Sequence, residues 1–312
     1  MAKPAKSTPR YQFQPDAPTL TRKRVRATAD PLASYDDRQG YDPLFVDPAV
    51  ALPLPKLGKA WARDAATHVW QGKRTHELRY THFSTAVSTS RRLPLYSACN
   101  IDGAQAQSVP RTNIWKIDPR IDSRYQILRE VYGAEQKGYF SRGHLTRRQD
   151  PNWGSKKTAR QADADTFHAT NAAPQVQGFN GVLWGGIEDY ILENAHADHM
   201  RVSVYTGPVF AADDPLIHGV QVPVLFWKIV AFVHDRSGQV AASAYLSSQA
   251  RAITGLRPAF VFGDFENQQR PVAAIEALTD LSFGELARRD VLAGAGPDFA
   301  AMLHDLRDIL LS

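Results

Sequence analysis

The stretch that decides the fold lies between residues 139 and 195. It opens with YFSRGHLTRRQDPNWG at 139–154 and, after a polar connector, continues with DTFHATNAAPQVQGFNGVLWGGIEDYILENA at 165–195. Tyr139 and Phe140 are predicted to end an apolar strand, and Gly143 is predicted to break it so that His144 projects from a loop. By itself, a histidine after a glycine could equally be a structural residue.

The second half of this stretch has the pattern of a helix. Aliphatic residues recur at four-residue spacing and predict a core-facing stripe: Leu183, Ile187 and Ile191. At about 100° per residue, Asn180, Trp184 and Glu188 lie within roughly 80° of one another on an adjoining face. An amide in the first turn and a carboxylate two turns later can therefore border one cleft.

Working outward, alternating apolar residues predict strands on both sides of this stretch. Residues 78–88 and 93–100 are β-branched and aromatic, and the turn TSRR between them predicts an antiparallel pair. Three further strands are predicted at 202–210, 222–234 and 240–246. The middle one is almost continuously apolar, which favours a central position in the sheet.

The remaining elements complete the predicted organisation. We expect helices at 59–72, 123–134, 271–290 and 296–311, a loop at 111–122, a turn at 210–221, and an extended proline-containing segment at 41–57. The last helix is predicted from four apolar residues on one face: Phe299, Leu303, Leu306 and Leu310. The sequence thus predicts an α+β fold, in which helices flank a central antiparallel sheet.

Composition sets limits on the class of protein. The 312 residues are 43% hydrophobic, carry a formal net charge of +5 and contain one cysteine, Cys99, so that no intramolecular disulfide is possible. Residues 1–30 are rich in proline, lysine and arginine and predict a disordered basic arm, whereas residues 31–312 are predicted to be a single domain. No apolar run predicts a membrane span or a secretory signal, which favours a cytoplasmic location, although export without a cleaved signal stays open.

Three ordered motifs resemble the DNA/RNA non-specific endonucleases, the ββα-metal nucleases of the Serratia nuclease and mitochondrial endonuclease G type. The family signature is D-R-G-H, then T-N-x-x-P-Q, then F-N-x-x-x-W with a glutamate eight residues after that asparagine. The chain matches with RGH at 142–144, TNAAPQ at 170–175, and FNGVLW at 179–184 followed by Glu188. Outside these motifs, NIDG (100–103), WKIDP (115–119), YTGPVF (205–210) and FWK (226–228) also match, so the resemblance covers about residues 79–290. Ser141 stands where the family usually has aspartate.

The resemblance implies a role for each of several residues. His144 would be the general base, because an imidazole of ordinary pKa about 6.5 is mostly neutral at cellular pH. Asn180 would hold Mg²⁺, with Mn²⁺ as a substitute, although it could also be a helix N-cap. Glu188 would accept hydrogen bonds from a metal-bound water. Asn171 would orient His144 or the phosphate, unless it is only a turn amide.

Arginines are the expected phosphate ligands, because a guanidinium can donate two hydrogen bonds to non-bridging oxygens. Arg142 and Arg111 are assigned to the phosphate, and Arg147 and Arg148 either follow the nucleic-acid backbone or are simply solvated. The function implied is Mg²⁺-dependent hydrolysis of DNA and RNA with little sequence preference.

Two alternatives stay open at this point. The chain could be a nuclease-like module that binds nucleic acid without cutting it, with Ser141 as the sign of lost activity. It could also be the same nuclease acting as an exported interbacterial toxin, which would favour an inhibitor protein as a partner. By analogy with the family, a homodimer is possible, and no membrane partner is expected.

Overall fold

A computed structural model describes residues 28–132, 140–176, 184–250, 253, 267–305 and 308–310. The helices are α1 (Lys59–Asp64), α2 (Lys156–Thr166), α3 (Trp184–Ala197), α4 (Val272–Thr279) and α5 (Glu285–Arg288). The strands of the first half are β1 (Lys56–Leu57), β2 (His68–Trp70), β3 (Lys73–Thr75), β4 (Leu78–Arg79), β5 (Phe83–Val87), β6 (Pro94–Asp102), β7 (Ser141–His144) and β8 (Ala172–Gln175). Those of the second half are β9 (Arg201–Val209), β10 (Leu216–Ile217), β11 (Val220–Gln221), β12 (Leu225–Val233), β13 (Val240–Ser248), β14 (Asn267–Arg270), β15 (Leu281–Ser282) and β16 (Ala301–Met302).

An antiparallel sheet of eight described strands organises the fold. Its spatial order is β16-β14-β13-β12-β9-β6-β5-β4. The predicted pairing of 78–88 with 93–100 is confirmed, because β5 pairs antiparallel with β6, although the first segment is interrupted before Phe83 by His82 at φ 67°. Strand β12 lies between β9 and β13, as its apolar sequence predicts. The expected α+β class with a central antiparallel sheet is confirmed.

Successive side chains of β12 point to opposite faces of the sheet, and both faces are covered. On one face, Phe226 and Val230 join a core that includes residues of α3 and of the β7–β8 region. On the other, Trp227 and Ile229 join a second core formed with α4, α5 and the segment 41–57. We call these the site face and the scaffold face. A strand that is buried on both faces explains the nearly continuous apolar run.

The predicted helix at 59–72 is too long. Helix α1 ends at Asp64, and the chain then forms a hairpin from β2 and β3. Its turn places Gln71 at φ 46° and Gly72 at φ 75°, a left-handed pair that closes a two-residue hairpin. The alternation in HVW therefore indicates a strand, and the Gln-Gly pair indicates its turn.

Three other predicted helices are also wrong over the residues that can be compared. The one at 271–290 is interrupted, because Asp280 has φ 53° and β15 separates α4 from α5. The other two are those at 123–134 and 296–311. Only Ser123–Tyr125 forms a short 3-10 helix, because Gln126 turns inward and its side-chain amide hydrogen-bonds both the N–H and the carbonyl of Asp118. Near the C-terminus, β16 pairs with β14 at the edge of the sheet, where its backbone satisfies otherwise unpaired edge groups. Leu306 of the predicted helix lies outside the described residues.

Three smaller differences concern segments that were predicted to be irregular or disordered. The polar connector contains α2, which Ser155 caps by accepting a hydrogen bond from the Thr158 N–H. The turn at 210–221 contains the β10–β11 hairpin. The last residues of the predicted arm contact the domain, since Lys116 forms an ion pair with Asp30 at 2.8 Å. In the part of the chain that the structure describes, no helix has the length and apolarity to cross a bilayer.

Candidate active site

The central motif forms a two-stranded sheet that lies over the site face. Strand β7 pairs with β8, with Gly143 opposite Ala173 and His144 opposite Ala172. Gly143 does not break the strand as expected, and its role is close packing. A Cβ atom at this position would lie 2.0 Å from Oε1 of Gln175, so only glycine fits here without displacing that side chain. Tyr139 lies outside the described residues.

Asn171 holds the chain immediately after His144. Its fully buried side chain accepts a hydrogen bond from the Thr146 N–H at 2.9 Å and donates to the carbonyls of Thr146 and Thr166 at 3.0 and 3.1 Å. The backbone carbonyl of Asn171 also accepts from the Leu145 N–H. Asn171 therefore acts on His144 through the backbone, and no direct contact between the two side chains is seen in the described structure.

Aromatic rings enclose the imidazole of His144. The ring centroid of Trp115 lies 4.8 Å away, and Phe167 approaches edge-on at 5.0 Å with an interplanar angle of 90°. The Nε2 atom is buried, and none of the described residues hydrogen-bonds to it. Burial, together with the positive charges of Arg111 and Arg148, lowers the pKa of His144 to about 3, and the carboxylate of Asp163 opposes this shift. The imidazole is therefore neutral and has an unsatisfied ring nitrogen.

The structure brings two of the four candidate arginines close to His144. Arg111 is exposed, and its guanidinium lies 5.1 Å from the centroid of Phe167. Arg148 is held by an ion pair with the fully buried carboxylate of Asp163 at 2.7 Å. The second oxygen of Asp163 accepts from the Thr112 N–H, so the loop that follows Arg111 and the loop that carries Arg148 share one anchor.

Arg142 is oriented differently from Arg111 and Arg148. Its Nε and Nη2 atoms donate to the carbonyl of Leu128 at 3.0 and 2.7 Å. The guanidinium lies 4.9 Å from the ring centroid of Tyr132 and 5.6 Å from that of Trp115. Arg142 thus contacts the same indole as His144 but is anchored to the segment before the motif. Its assignment to the phosphate stays a prediction.

A cluster of charged side chains joins the His144 loop to α3. Arg147 forms an ion pair with Asp189 at 2.5 Å, and Glu188 forms one with Lys228 at 3.1 Å. Asp150 is buried among these groups. Its pKa is raised to about 7, because burial and the neighbouring carboxylate of Glu188 outweigh the opposing charges of Lys228 and Arg147. The loop after His144 and the helix carrying Glu188 therefore meet over the site face.

The predicted metal ligand, Asn180, lies outside the described residues, and its role stays a prediction. The described residues contain no group of three or more His, Cys, Asp or Glu side chains that could hold an ion. Glu188, whose carboxylate is held in place, could accept hydrogen bonds from metal-bound water. A single carboxylate acceptor suits an ion that keeps several of its waters and needs few protein oxygens.

Three residues of this site were given no role in the sequence analysis, although Lys228 lies in the matching FWK segment at 226–228. Lys228 is the one charged residue in the run VPVLFWKIVAFV, and a lone lysine in a buried strand is a recognisable signal because it needs a partner. Asp150 and Asp163 gave no such signal, since both lie in polar segments where a carboxylate is ordinarily solvated.

Comparisons with known proteins agree with this architecture. The family model of the DNA/RNA non-specific endonucleases matches residues 64–290. An uncharacterized protein of Sinorhizobium fredii, y4fB, is 40% identical over 236 residues, which are 73% of this chain and 35% of that protein. Human mitochondrial endonuclease G is 29% identical over 146 residues, which are 43% of this chain and 47% of that protein. The chain thus spans between a third and a half of the length of these curated relatives.

One solved structure shows the same fold. A chain in the crystal structure of the EndoG/EndoGI complex superposes with a TM-score of 0.52 at 22% identity, covering 67% of this chain and 85% of that one. At this identity the likeness establishes architecture alone. The family match is more specific, because it covers most of the chain and includes β7, β8, α3 and the central strands. The chain belongs to the family of DNA/RNA non-specific endonucleases.

Proposed function

We propose that the protein is a Mg²⁺-dependent endonuclease that hydrolyses DNA and RNA with little sequence preference. The observation that carries this proposal is the state of His144. Its imidazole is neutral, Nε2 has no hydrogen-bond partner among the described residues, and the guanidinium groups of Arg111 and Arg148 lie close to it. A neutral base beside two cations is the arrangement needed to activate water next to a phosphodiester.

The arginines link substrate binding to the basicity of His144. A phosphodiester bound by Arg111 and Arg148 would offset their positive charge, and the lowering effect that they have on the pKa of His144 would shrink. The pKa would then rise toward neutral pH, where a general base is most effective. We propose that Nε2 takes the proton from the attacking water in that state.

The other side chains would position the reacting groups. Asn171 fixes the backbone after His144, and Arg147, tied to Asp189, would lie along the nucleic-acid backbone. The divalent cation, which we assign to Asn180 with Glu188 accepting from its water, would supply Lewis-acid stabilisation of the phosphate and of the leaving oxygen. Mn²⁺ is expected to replace Mg²⁺.

Recognition through phosphates explains why sequence would matter little. The donors close to His144 are guanidinium groups, which suit phosphate oxygens, and contacts to phosphates carry no sequence information. In a cleavage-dead variant, nucleic-acid affinity should therefore fall steeply with salt and differ little between duplexes. An affinity that does not respond to salt would contradict this mode of binding.

Supercoiled plasmid and single-stranded RNA, incubated with Mg²⁺ and separately with Mg²⁺ and excess chelator, test the activity. We expect both substrates to be degraded with Mg²⁺ or Mn²⁺ and to stay intact with chelator, and His144→Ala serves as the matched inactive control. If both substrates stay intact with either ion while the protein still binds them, the protein is a binding module. Ser141 would then be the sign of lost activity. Its Oγ also has a structural role, because it donates to the Gln175 carbonyl at 2.9 Å.

The setting of this activity is also a proposal. We propose a cytoplasmic enzyme, with export without a signal as the alternative. We further propose an inhibitor protein as a partner, because a structural neighbour is known in a complex whose subject is inhibition. A homodimer stays a prediction.

A further inference from the structure

The most unusual residue on the site face is the buried lysine of β12. Lys228 is 1% exposed and lies between Thr206 of β9 and Tyr245 of β13 in the register of the sheet. Fully buried lysines are rare because burial removes the ammonium group from water, and they occur where partners compensate the charge. The contacts of Lys228 therefore indicate what its charge is for.

Those contacts lead to the helix above the sheet. Nζ lies 3.1 Å from Oε1 of Glu188 and donates to Oγ1 of Thr206 at 2.9 Å. The Glu188 side chain is 15% exposed and that of Lys228 is 1% exposed, so Glu188 is partly open to solvent above the buried lysine. Asp150 is a second carboxylate close to both, and Arg147 is a second cation. Two positive and two negative side chains are thus packed together, with Lys228 at the bottom on a rigid strand.

We propose that Lys228 is a positioning residue for the reaction, acting through Glu188. Its ammonium group holds the Glu188 carboxylate in place, so that this carboxylate can accept hydrogen bonds from the water of the divalent cation. The inference rests on the proposed function, because it assigns Lys228 to the same site.

The geometry explains why the support comes from the sheet. A carboxylate on a helix surface can adopt several rotamers and can be satisfied by solvent. An ion pair to a side chain anchored in the centre of an eight-stranded sheet restricts it to one place. Groups that orient a partner of the metal commonly matter nearly as much as the metal ligands, and their loss lowers metal affinity or activity about 10–100-fold.

A double-mutant cycle on the full chain tests whether Lys228 acts through Glu188. The variants are Lys228→Met, Glu188→Gln and the combination, assayed for plasmid cleavage over a range of Mg²⁺ concentrations. We expect Lys228→Met to lower cleavage about 10–100-fold and to raise the Mg²⁺ concentration needed for half-maximal rate. The double variant should be no slower than Glu188→Gln, because the carboxylate that Lys228 orients is already absent. If the two losses multiply, Lys228 acts independently and the proposal is wrong.

Measurements without catalysis separate this inference from the proposed activity. Thermal unfolding in chelator should show that Glu188→Gln lowers stability more when Lys228 is present than in the Lys228→Met background. When Lys228 is present, the substitution leaves its buried charge without the Glu188 counter-ion. Calorimetric titration with Mn²⁺ should show weaker binding in both single variants and no additional weakening in the double variant. Equal, additive effects in both experiments would overturn the inference even if the parent protein cuts DNA. A parent protein that does not cut, yet shows both couplings, would contradict the proposed activity alone.

A matched control uses Thr206, which also accepts a hydrogen bond from this ammonium group. Thr206→Val keeps the shape of the side chain and removes its hydrogen bond to Nζ while leaving the contact with Glu188. We expect Mn²⁺ affinity to stay at the parent value in this variant. An affinity loss as large as that of Lys228→Met would show that the lysine is needed only as a buried structural group. Should Lys228→Met fail to fold, Glu188→Gln is compared with the double variant instead. A cleavage rate or Mn²⁺ affinity that is lower in the double variant than in Glu188→Gln contradicts the proposal.

Discussion

The two faces of the central sheet differ in what they bury. On the scaffold face, Trp227 packs edge-on to Phe283 with ring centroids 5.1 Å apart, and its indole N–H donates to the carbonyl of Pro208. On the site face, the next residue of the same strand, Lys228, contacts Glu188 and a hydroxyl. One face is held by apolar packing, and the other keeps charges beside the candidate catalytic groups.

One strand can therefore contribute both to the stability of the fold and to the chemistry of the site. Because successive residues of a strand alternate between faces, Trp227 can anchor the sheet while Lys228 points toward α3. Substitutions one position apart should therefore have opposite consequences. Those on the site face should act mainly on cleavage, and those on the scaffold face should act mainly on the free energy of unfolding.

The largest expected effect is on the site face. His144→Ala should lower the cleavage rate by about 10²–10⁴-fold, the usual contribution of a general base, with little change in the melting temperature. Single-turnover plasmid cleavage and thermal unfolding measure the two quantities. Mn²⁺ binding should be unchanged, whereas Asn180→Ala should weaken it and should regain part of its rate at high Mg²⁺. The reverse pattern would exchange the roles assigned to the two residues.

The next effect is on the scaffold face. Trp227→Ala should lower the free energy of unfolding by about 3–5 kcal/mol, because it leaves a cavity in the core and an unpaired carbonyl at Pro208. Urea denaturation measures this loss. The cleavage rate per folded molecule, measured at low temperature, should stay near that of the parent. A rate loss comparable with that of His144→Ala would break the proposed separation between the two faces.

A smaller effect is expected at Asn171, which supports both the stability of the fold and the position of His144. Asn171→Ala removes three buried hydrogen bonds that hold the loop after His144, and we expect a stability loss of about 1–3 kcal/mol for the groups left unpaired. Cleavage should also fall, because the imidazole loses its backbone support. The crystal structure of the variant should show a displaced Thr146. An unchanged loop with reduced cleavage would instead point to direct contact between Asn171 and the substrate.

The smallest effect is a pH dependence of stability. Burial raises the pKa of Asp150 to about 7, so the folded protein holds a proton there that the unfolded chain releases between about pH 4 and 7. Lowering the pH through this window should therefore stabilise the parent relative to Asp150→Asn, by at most about 1.4 kcal/mol per pH unit. His144, whose pKa is lowered, acts in the opposite direction in both proteins and cancels in the difference. Parallel pH profiles for parent and variant would contradict a raised pKa for Asp150.

The sequence predicts the sheet better than it predicts the helices. Strands β6, β9, β12 and β13 are recognisable because their apolar residues are buried on one or both faces. Helix α2 is not, since the residues that it buries include Asp163 and Asp165, whose partners are arginines and backbone groups elsewhere in the chain. Its helical face is polar, and an apolar stripe cannot reveal it. The helix predicted at 296–311 is wrong for another reason. Leu303 is buried next to the edge strand β16, and a spacing of about four residues between apolar side chains does not exclude that arrangement.

For the site, the order of the motifs predicts which segments matter, and the structure adds the contacts between them. Arg111 and Arg148 lie close to His144 because Asp163 joins their two loops. Asp163 is 51 residues from Thr112 and 15 residues from Arg148 in the chain. The partner of Glu188 is 40 residues away on a strand, which no local pattern can show. The residues of a motif can be identified from sequence, whereas the groups that hold them depend on the tertiary fold.

The buried lysine also has a consequence for how the protein folds. While the sheet is formed and α3 is not yet docked, Lys228 would be an ammonium group on an otherwise apolar face without the carboxylate that balances it. Such an intermediate is penalised, because an unpaired charge in a partly formed core is costly. Sheet closure and helix docking are therefore expected to occur in one cooperative step. A chain that has folded its core has, by the same step, placed Glu188 above the sheet beside its lysine.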